Sequence, residues 1–305
     1  MELNYHFKPD EQDKIRRRFG KDFYEKALRD LEVYKASWQL ASFQLIPSYS
    51  ANLIFTCESE KHGDAVLKIG GVSSKESLAE FHALSEYNGG RFCKIFDADM
   101  ENGIILEERI QPGNPLREEA SLEKRLEVFC SLHHDLHIAP SNQDVYPTYA
   151  EWVTRITEYM SRREDCPQLY AYMKKAEELC LALSELYPQK LLLHGDLHHD
   201  NILLGAEEEY VIIDPKGVIG DPIFDVPRFI LNEFDEEITD ELGEKINTII
   251  AILEKHLYVP GNVLRQCLYI ETAMGACWSV ESGAAPEEFP RLIAEVAFAE
   301  RLMAN

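Results

Sequence analysis

A chain of 305 residues, 45% hydrophobic and 28% charged, has the balance of a globular protein and not of a disordered one, with length for one large domain or two lobes. Its 31 basic and 54 acidic residues leave a net charge of −23; that field repels nucleic acid and anionic membranes and attracts a cationic partner, although solubility alone accounts for most acidic chains. No apolar run approaches the roughly 20 residues of a membrane-spanning helix, and the opening M-E-L-N-Y-H-F-K-P-D lacks the basic and apolar regions of a signal peptide, so a cytoplasmic protein is expected.

Residues 10–40 read as one or two amphipathic helices (F-Y-E-K-A-L-R-D-L-E-V-Y), with Trp38 expected in the core. A meander of strands follows: Gln44–Pro47, Leu53–Cys57 and Ala65–Ile69, separated by turns. The first turn, Ser48-Tyr49-Ser50-Ala51, has no glycine, but backbone amides flanked by serine hydroxyls suit a phosphate, which makes Ser50 a candidate contact. In A-V-L-K-I, Lys68 lies on the opposite face from Leu67 and Ile69. Two readings stand for it, an exposed strand lysine or a phosphate ligand.

Gly70-Gly71 ends that strand, and Ser73 with Glu76 forms a capping box for a helix that runs to about Tyr87, before Asn88-Gly89-Gly90. Glu80 lies near the buried stripe of this helix, where a carboxylate wants a cation, and Lys68 is the natural one. Arg91–Phe96 and Gly103–Glu108 read as two further strands. The Pro/Gly break in E-E-R-I-Q-P-G-N-P-L then divides a strand-rich part, 1–110, from a helix-rich part, 111–305. Backbone groups of Glu108 to Gln111, with Arg109 and Gln111 among them, are placed to read the edge of a nucleotide base.

A long helix is expected from Leu116 to Ile138, with His133 and His137 spaced i, i+4; they are a metal pair or simply cations at the helix C-terminus. Helices at Tyr149–Glu164 and Gln168–Leu186 follow. The seven cysteines are odd in number and form no C-x-x-C pair, so reduced structural thiols are expected.

The chemistry concentrates in L-L-L-H-G-D-L-H-H-D-N-I-L-L, a charged turn, and Y-V-I-I-D-P-K-G. One apolar run delivers His194, Asp196 and Asn201, and a second delivers Asp214. In protein kinases the catalytic-loop Asp accepts the proton of the attacking hydroxyl, while an Asn and a later Asp bind magnesium. Asn201 lies five residues after Asp196 and Asp214 eighteen after it, which matches. Zinc is the competitor, given His194, His198 and His199, but no H-E-x-x-H occurs; nor does the G-x-S-x-G of a serine hydrolase. The expectation is an ATP-dependent phosphotransferase using Mg2+, with Asp196 as catalytic base and Asn201 and Asp214 as metal ligands. Farther on, Asp225 either braces the active-site loop or caps a helix, and the acids from Glu233 to Glu244 read mainly as a solvated face, with a rim that attracts a cationic substrate as the alternative.

H-G-D-L-H-H-D-N-I-L followed by I-D-P-K-G-V-I-G-D-P-I-F-D-V resembles the aminoglycoside phosphotransferase family, in particular its streptomycin 6-kinase and hydroxyurea kinase branch. L-E-E-R-I-Q-P-G and C-W-S-V-E-S-G extend the likeness over residues 38–285. The resemblance implies an α+β, protein-kinase-like two-lobed fold, with a small antiparallel-sheet N-lobe, a helical C-lobe and ATP between them. It implies Asp196 as base, Asn201 and Asp214 as magnesium ligands, Lys68 with Glu80 as the phosphate-gripping pair, and Asp225 as the loop brace. Lys216 stands where protein kinases have the glycine of D-F-G, to reach a phosphate or the surface. The expected partner is a small-molecule acceptor such as streptomycin; a metabolic kinase of an amino alcohol or sugar, or a nucleotide-binding protein without turnover, is the alternative.

Overall fold

The computed structural model describes residues 5–47, 52–72, 75–87, 89–234 and 237–304. The chain forms two compact units, Met1–Asn114 with Leu204–Ile213, and Pro115–Leu203 with Asp214–Asn305.

The first unit opens with two helices, α1 (Pro9–Phe19) and α2 (Lys21–Ser37), separated at Gly20, whose φ of +90° breaks the helical path. Strands β1 (Leu40–Ile46), β2 (Leu53–Ser59) and β3 (Gly63–Ile69) form the expected meander. Helix α3 (Lys75–Tyr87) leads to β4 (Ile95–Asp99) and β5 (Ile104–Glu108), giving an antiparallel sheet of order β1-β2-β3-β5-β4. Ala65, Leu67 and Ile69 turn one face of β3 into a core shared with Ile15, Leu31 and Phe55. Pleating turns Lys68 to the other face, in register with Ile105 while Val66 faces Glu107, so Lys68 and Glu107 share that face.

Several local expectations shift. Strand β1 begins at Leu40 and not at Gln44, because its pairing is irregular between Ala41 and Gln44, where Ser42 has φ +57°; such a bulge erases the alternation that sequence reading relies on. Strand β4 starts at Ile95 and not at Arg91, since Phe92 bridges Ile212 and Cys93 N donates to Ile212 O at 3.0 Å. Trp38 is half-buried at the C-cap of α2, tilted against Tyr34 at 4.5 Å, and not in the core proper. Ser50, its turn and the capping residue Ser73 lie outside the described residues.

The second unit is helical. Helix α4 (Leu122–His133) stops at His133 because His134 leaves helical angles and Asp135 takes φ +55°. His133 and His137 therefore do not share one helix, contrary to the expected run to Ile138. Helix α5 (Tyr149–Ser161) starts at a Thr148/Glu151 capping box, and α6 (Pro167–Leu186) follows. Short strands come next: β6 (Leu191–Leu193), β7 (Ile202–Leu204), β8 (Tyr210–Ile212) in the excursion to the first unit, and β9 (Val218–Gly220), which pairs antiparallel with β6. Gly205 N donates to Glu209 O at 2.6 Å, closing the turn before β8.

Helices α7 (Pro227–Leu231), α8 (Asp240–Leu257), α9 (Gly261–Glu281) and α10 (Phe289–Met303) complete the chain. Helix α9 is apolar nearly all round and buries residues such as Leu264, Ile270 and Met274, the mark of a central helix. Its core includes Val153, Met173 and Val296 from α5, α6 and α10. All seven cysteines are free and buried. Among the described residues no helix is long and apolar enough to cross a membrane.

Candidate active site

The loop that leaves β6 is built around one buried carboxylate. Asp225, 1% exposed, accepts His194 N on Oδ2 and Gly195 N on Oδ1, both at 2.7 Å, and His137 Nε2 lies 3.0 Å from Oδ2. Burial pushes its carboxyl up, but His137, the charge of His194 and the Gly195 amide outweigh it and hold Asp225 below the usual range. The helix cap is supplied instead by Asp221, whose carboxylate accepts Ile223 N. Gly195 needs its φ of +80°, and a Cβ there would come within 2.8 Å of Trp152 Cη2. His194 Nδ1 accepts Asp196 N at 3.1 Å, and His194 O accepts Lys216 N at 2.7 Å. Backbone bonds therefore fix the loop before any substrate arrives.

Asp196 projects from this loop, 23% exposed at its side chain. Arg228 Nε lies 3.3 Å from Oδ1 and His198 Nε2 lies 3.7 Å from the same oxygen. Partial burial raises the Asp196 carboxyl, while His198, Arg228 and Lys216 more than compensate, so it sits below its ordinary value. His198 Nδ1 accepts Asp200 N at 3.3 Å, and Asn201 Nδ2 lies 3.3 Å from His198 Nε2.

Asn201 Nδ2 donates to Asp196 O at 2.9 Å. That bond orients the amide, keeping its oxygen apart from the donor side. Asp214 ends the second apolar run with φ +59°, and its Oδ2 is 2.7 Å from Lys216 Nζ. Lys216 thus meets a carboxylate, where the sequence left it between phosphate and surface. No group of three or more His, Cys, Asp or Glu side chains among the described residues could hold a metal ion. An amide oxygen and a carboxylate that already attracts an ammonium are hard donors, and they suit an ion that takes one or two protein oxygens and the rest from phosphate and water.

In the first unit, Lys68 and Glu80 are both 4% exposed, and the ammonium donates to Glu80 Oε1. A second buried carboxylate, Glu107, lies 3.1 Å from Lys68 Nζ. Sequence reading missed Glu107, although an acid inside I-I-L-E-E was the available signal. Arg109 and Gln111 follow β5, and both turn to Asp64: Arg109 Nη1 at 3.9 Å and Gln111 Nε2 at 3.1 Å.

The rest of the loop in the second unit is held by ions. Arg117 makes a bidentate pair with Asp200 at 2.7 Å on each arm. Glu233 is 5% exposed and not solvated as expected; Arg125 grips both its oxygens at 2.7 and 2.8 Å, and His199 Nε2 lies 2.8 Å from Oε1. Burial raises the Glu233 carboxyl, but His199 and Arg125 pull it down to about 2. His133 and His137 serve neither expected role: His133 Nε2 meets Pro222 O at 3.1 Å, and His137 meets Asp225.

The aminoglycoside/hydroxyurea antibiotic resistance kinase family matches residues 37–283. The chain is 25% identical over 195 residues to the streptomycin 6-kinase of Streptomyces griseus, an overlap that spans 62% of each protein. It is 26% identical over 252 residues to the hydroxyurea phosphotransferase of Kitasatospora aureofaciens, covering 79% of this chain and 68% of that one. Its fold is that of the choline kinase LicA from Streptococcus pneumoniae, with a TM-score of 0.65 at 16% identity over 92% of this chain and 99% of that one. The architecture is kinase-like, an antiparallel five-stranded sheet in one unit and a helical second unit.

Burial drives His133 down from 6.5 to about 4, with the charge of His137 adding to it. A group that stays neutral when folded but protonates when unfolded makes stability rise with pH between those two values. Stability from His133 is therefore complete above about pH 6.5 and lost as pH falls to about 4, by at most about 3 kcal/mol. Urea denaturation across that window should show the slope, and His133→Gln, which keeps a donor for Pro222 O, should flatten it. An unchanged slope would remove His133 as its source.

Proposed function

The chain belongs to the aminoglycoside/hydroxyurea antibiotic resistance kinase family, and from that membership we propose that it transfers the γ-phosphoryl group of ATP to a hydroxyl of a small molecule, an aminoglycoside such as streptomycin. The observation that supports this most is the loop itself: Asp196 on a backbone clamped by Asp225, with Asn201 tied back to its carbonyl. In the transfer, the acceptor oxygen bonds to the γ-phosphorus as the bond to the β–γ bridging oxygen breaks, and ADP leaves with that electron pair.

Asp196 orients the acceptor hydroxyl and takes its proton as the new bond forms. Its lowered pKa keeps it ionised and makes it a better orienter than an early base. Lys68, held by Glu80 and Glu107, meets the α- and β-phosphates. Asn201 Oδ1 and the Asp214 carboxylate, which Lys216 Nζ meets at 2.7 Å, are the oxygens that would hold Mg2+. Magnesium when bound supplies neutralisation of the phosphate charge. Backbone groups from Glu108 to Gln111 read the base edge. A cytoplasmic location fits a supply of ATP.

A coupled assay of ATP consumption over streptomycin, hydroxyurea and choline tests the reading. Streptomycin-dependent turnover is expected, and failure of every acceptor while ATP binds would overturn it. Asp196→Ala should keep ATP binding and lower turnover by about 10²–10⁴-fold; near-normal turnover would remove Asp196 from the chemistry. For Asp214→Ala, thermal-shift titration with ATP should lose its magnesium dependence, and a dependence equal to that of the unsubstituted protein would refute the ligand role.

A further inference from the structure

We infer that Arg228 is a positioning residue that holds the Asp196 carboxylate from the Oδ1 side and so sets how it meets the acceptor hydroxyl. This rests on the phosphotransfer reading above.

Oδ1 of Asp196 lies 3.3 Å from Arg228 Nε and 3.7 Å from His198 Nε2. A carboxylate has two equivalent oxygens and rotates freely about its last bond, so a base that must present one of them needs the other held.

Arg228 is itself fixed from three helices. It sits on α7, and its Nη2 lies 2.5 Å from Glu271 Oε1 on α9. Tyr149 on α5 donates to the other oxygen of Glu271 at 2.6 Å. The guanidinium carbon lies 5.9 Å from the ring centroid of Trp278, within reach of a cation–π attraction. Glu271 is 2% exposed, and a buried carboxylate stays only with a partner. Arg228 supplies that charge and spends its remaining arm on Asp196.

The contact with Asp196 is ionic and not a hydrogen bond, for the buried Nε–H has no acceptor in bonding geometry. The planar fork of Arg spans both carboxylates at once, whereas a Lys ammonium at the same place reaches one of them well. Displacement of a reacting group by about 1 Å costs about 100-fold in rate, and that is the scale at stake in orienting Asp196.

The test must separate positioning from folding. Arg228→Met alone strands the Glu271 charge in the core, so the informative variant is Arg228→Met with Glu271→Gln, which removes both charges together. Steady-state kinetics with ATP and the acceptor that the unsubstituted protein uses should show kcat lowered about 100-fold. The KM for ATP should stay within about twofold and the ATP-induced thermal shift should be retained, since the nucleotide does not depend on Arg228. Arg228→Lys should recover part of the lost kcat. Three results would overturn the inference: kcat near that of the unsubstituted protein, joint loss of kcat and the thermal shift, or a Lys variant no better than the double variant. If the unsubstituted protein turns over no acceptor, the phosphotransfer reading fails and this inference with it; turnover with an indifferent Arg228 sinks the inference alone.

Discussion

The carboxylate of Asp225 is the constraint on which the second unit's chemistry hangs. It is buried, and two backbone amides and a histidine hold it ionised. The penalty for burying such a charge is several kcal/mol, and it is offset only while every partner is in place. The two amides belong to His194 and Gly195, immediately before Asp196. The electrostatic need of one buried acid therefore dictates the backbone path of the next functional one. Where a loop carried only by side-chain packing would drift, this one is fixed by the most directional interactions available.

The same logic recurs around the molecule. Several buried charges among the described residues come in small clusters of alternating sign, beside the simple buried pair of Lys26 and Asp30. Lys68 sits between Glu80 and Glu107. Arg228 sits between Asp196 and Glu271. Glu233 sits among Arg125, His199 and Lys245. Clusters of this kind add little net stability over apolar packing, but they specify geometry, because each member has a defined direction to a defined partner.

How much of this the sequence revealed depended on whether a signal was local. The alternation in A-V-L-K-I and the apolar runs around H-G-D-L-H-H-D-N report backbone geometry over a few residues, and the sheet and loop followed from them. Glu271 could have been suspected from L-Y-I-E-T-A-M-G-A, where one acid interrupts an apolar helix and must be buried with a partner. Its partner Arg228 could not be named, for the pairing depends on how α7 and α9 pack. Glu233 was misread because its neighbours in sequence are acids, and burial there comes from Arg125, 108 residues away. The end of α4 was missed because nothing in L-H-H-D-L-H stops the pattern. The break is a left-handed Asp135.

The net charge of −23 acts on a different scale from these clusters. Around Asp196 the cation of Arg228 lies close and that of Lys216 also acts on the carboxylate, so the local field is more balanced than the whole. A cationic acceptor would gain from the global charge in its approach, over distances of about a Debye length or 8–10 Å, where salt screens it. Selection of an acceptor acts at shorter range, within hydrogen-bond and van der Waals distance, where the summed charge of the chain has no say. Composition thus speaks to encounter and not to selection, and that is why an acidic chain is equally compatible with a polycationic antibiotic and an uncharged acceptor.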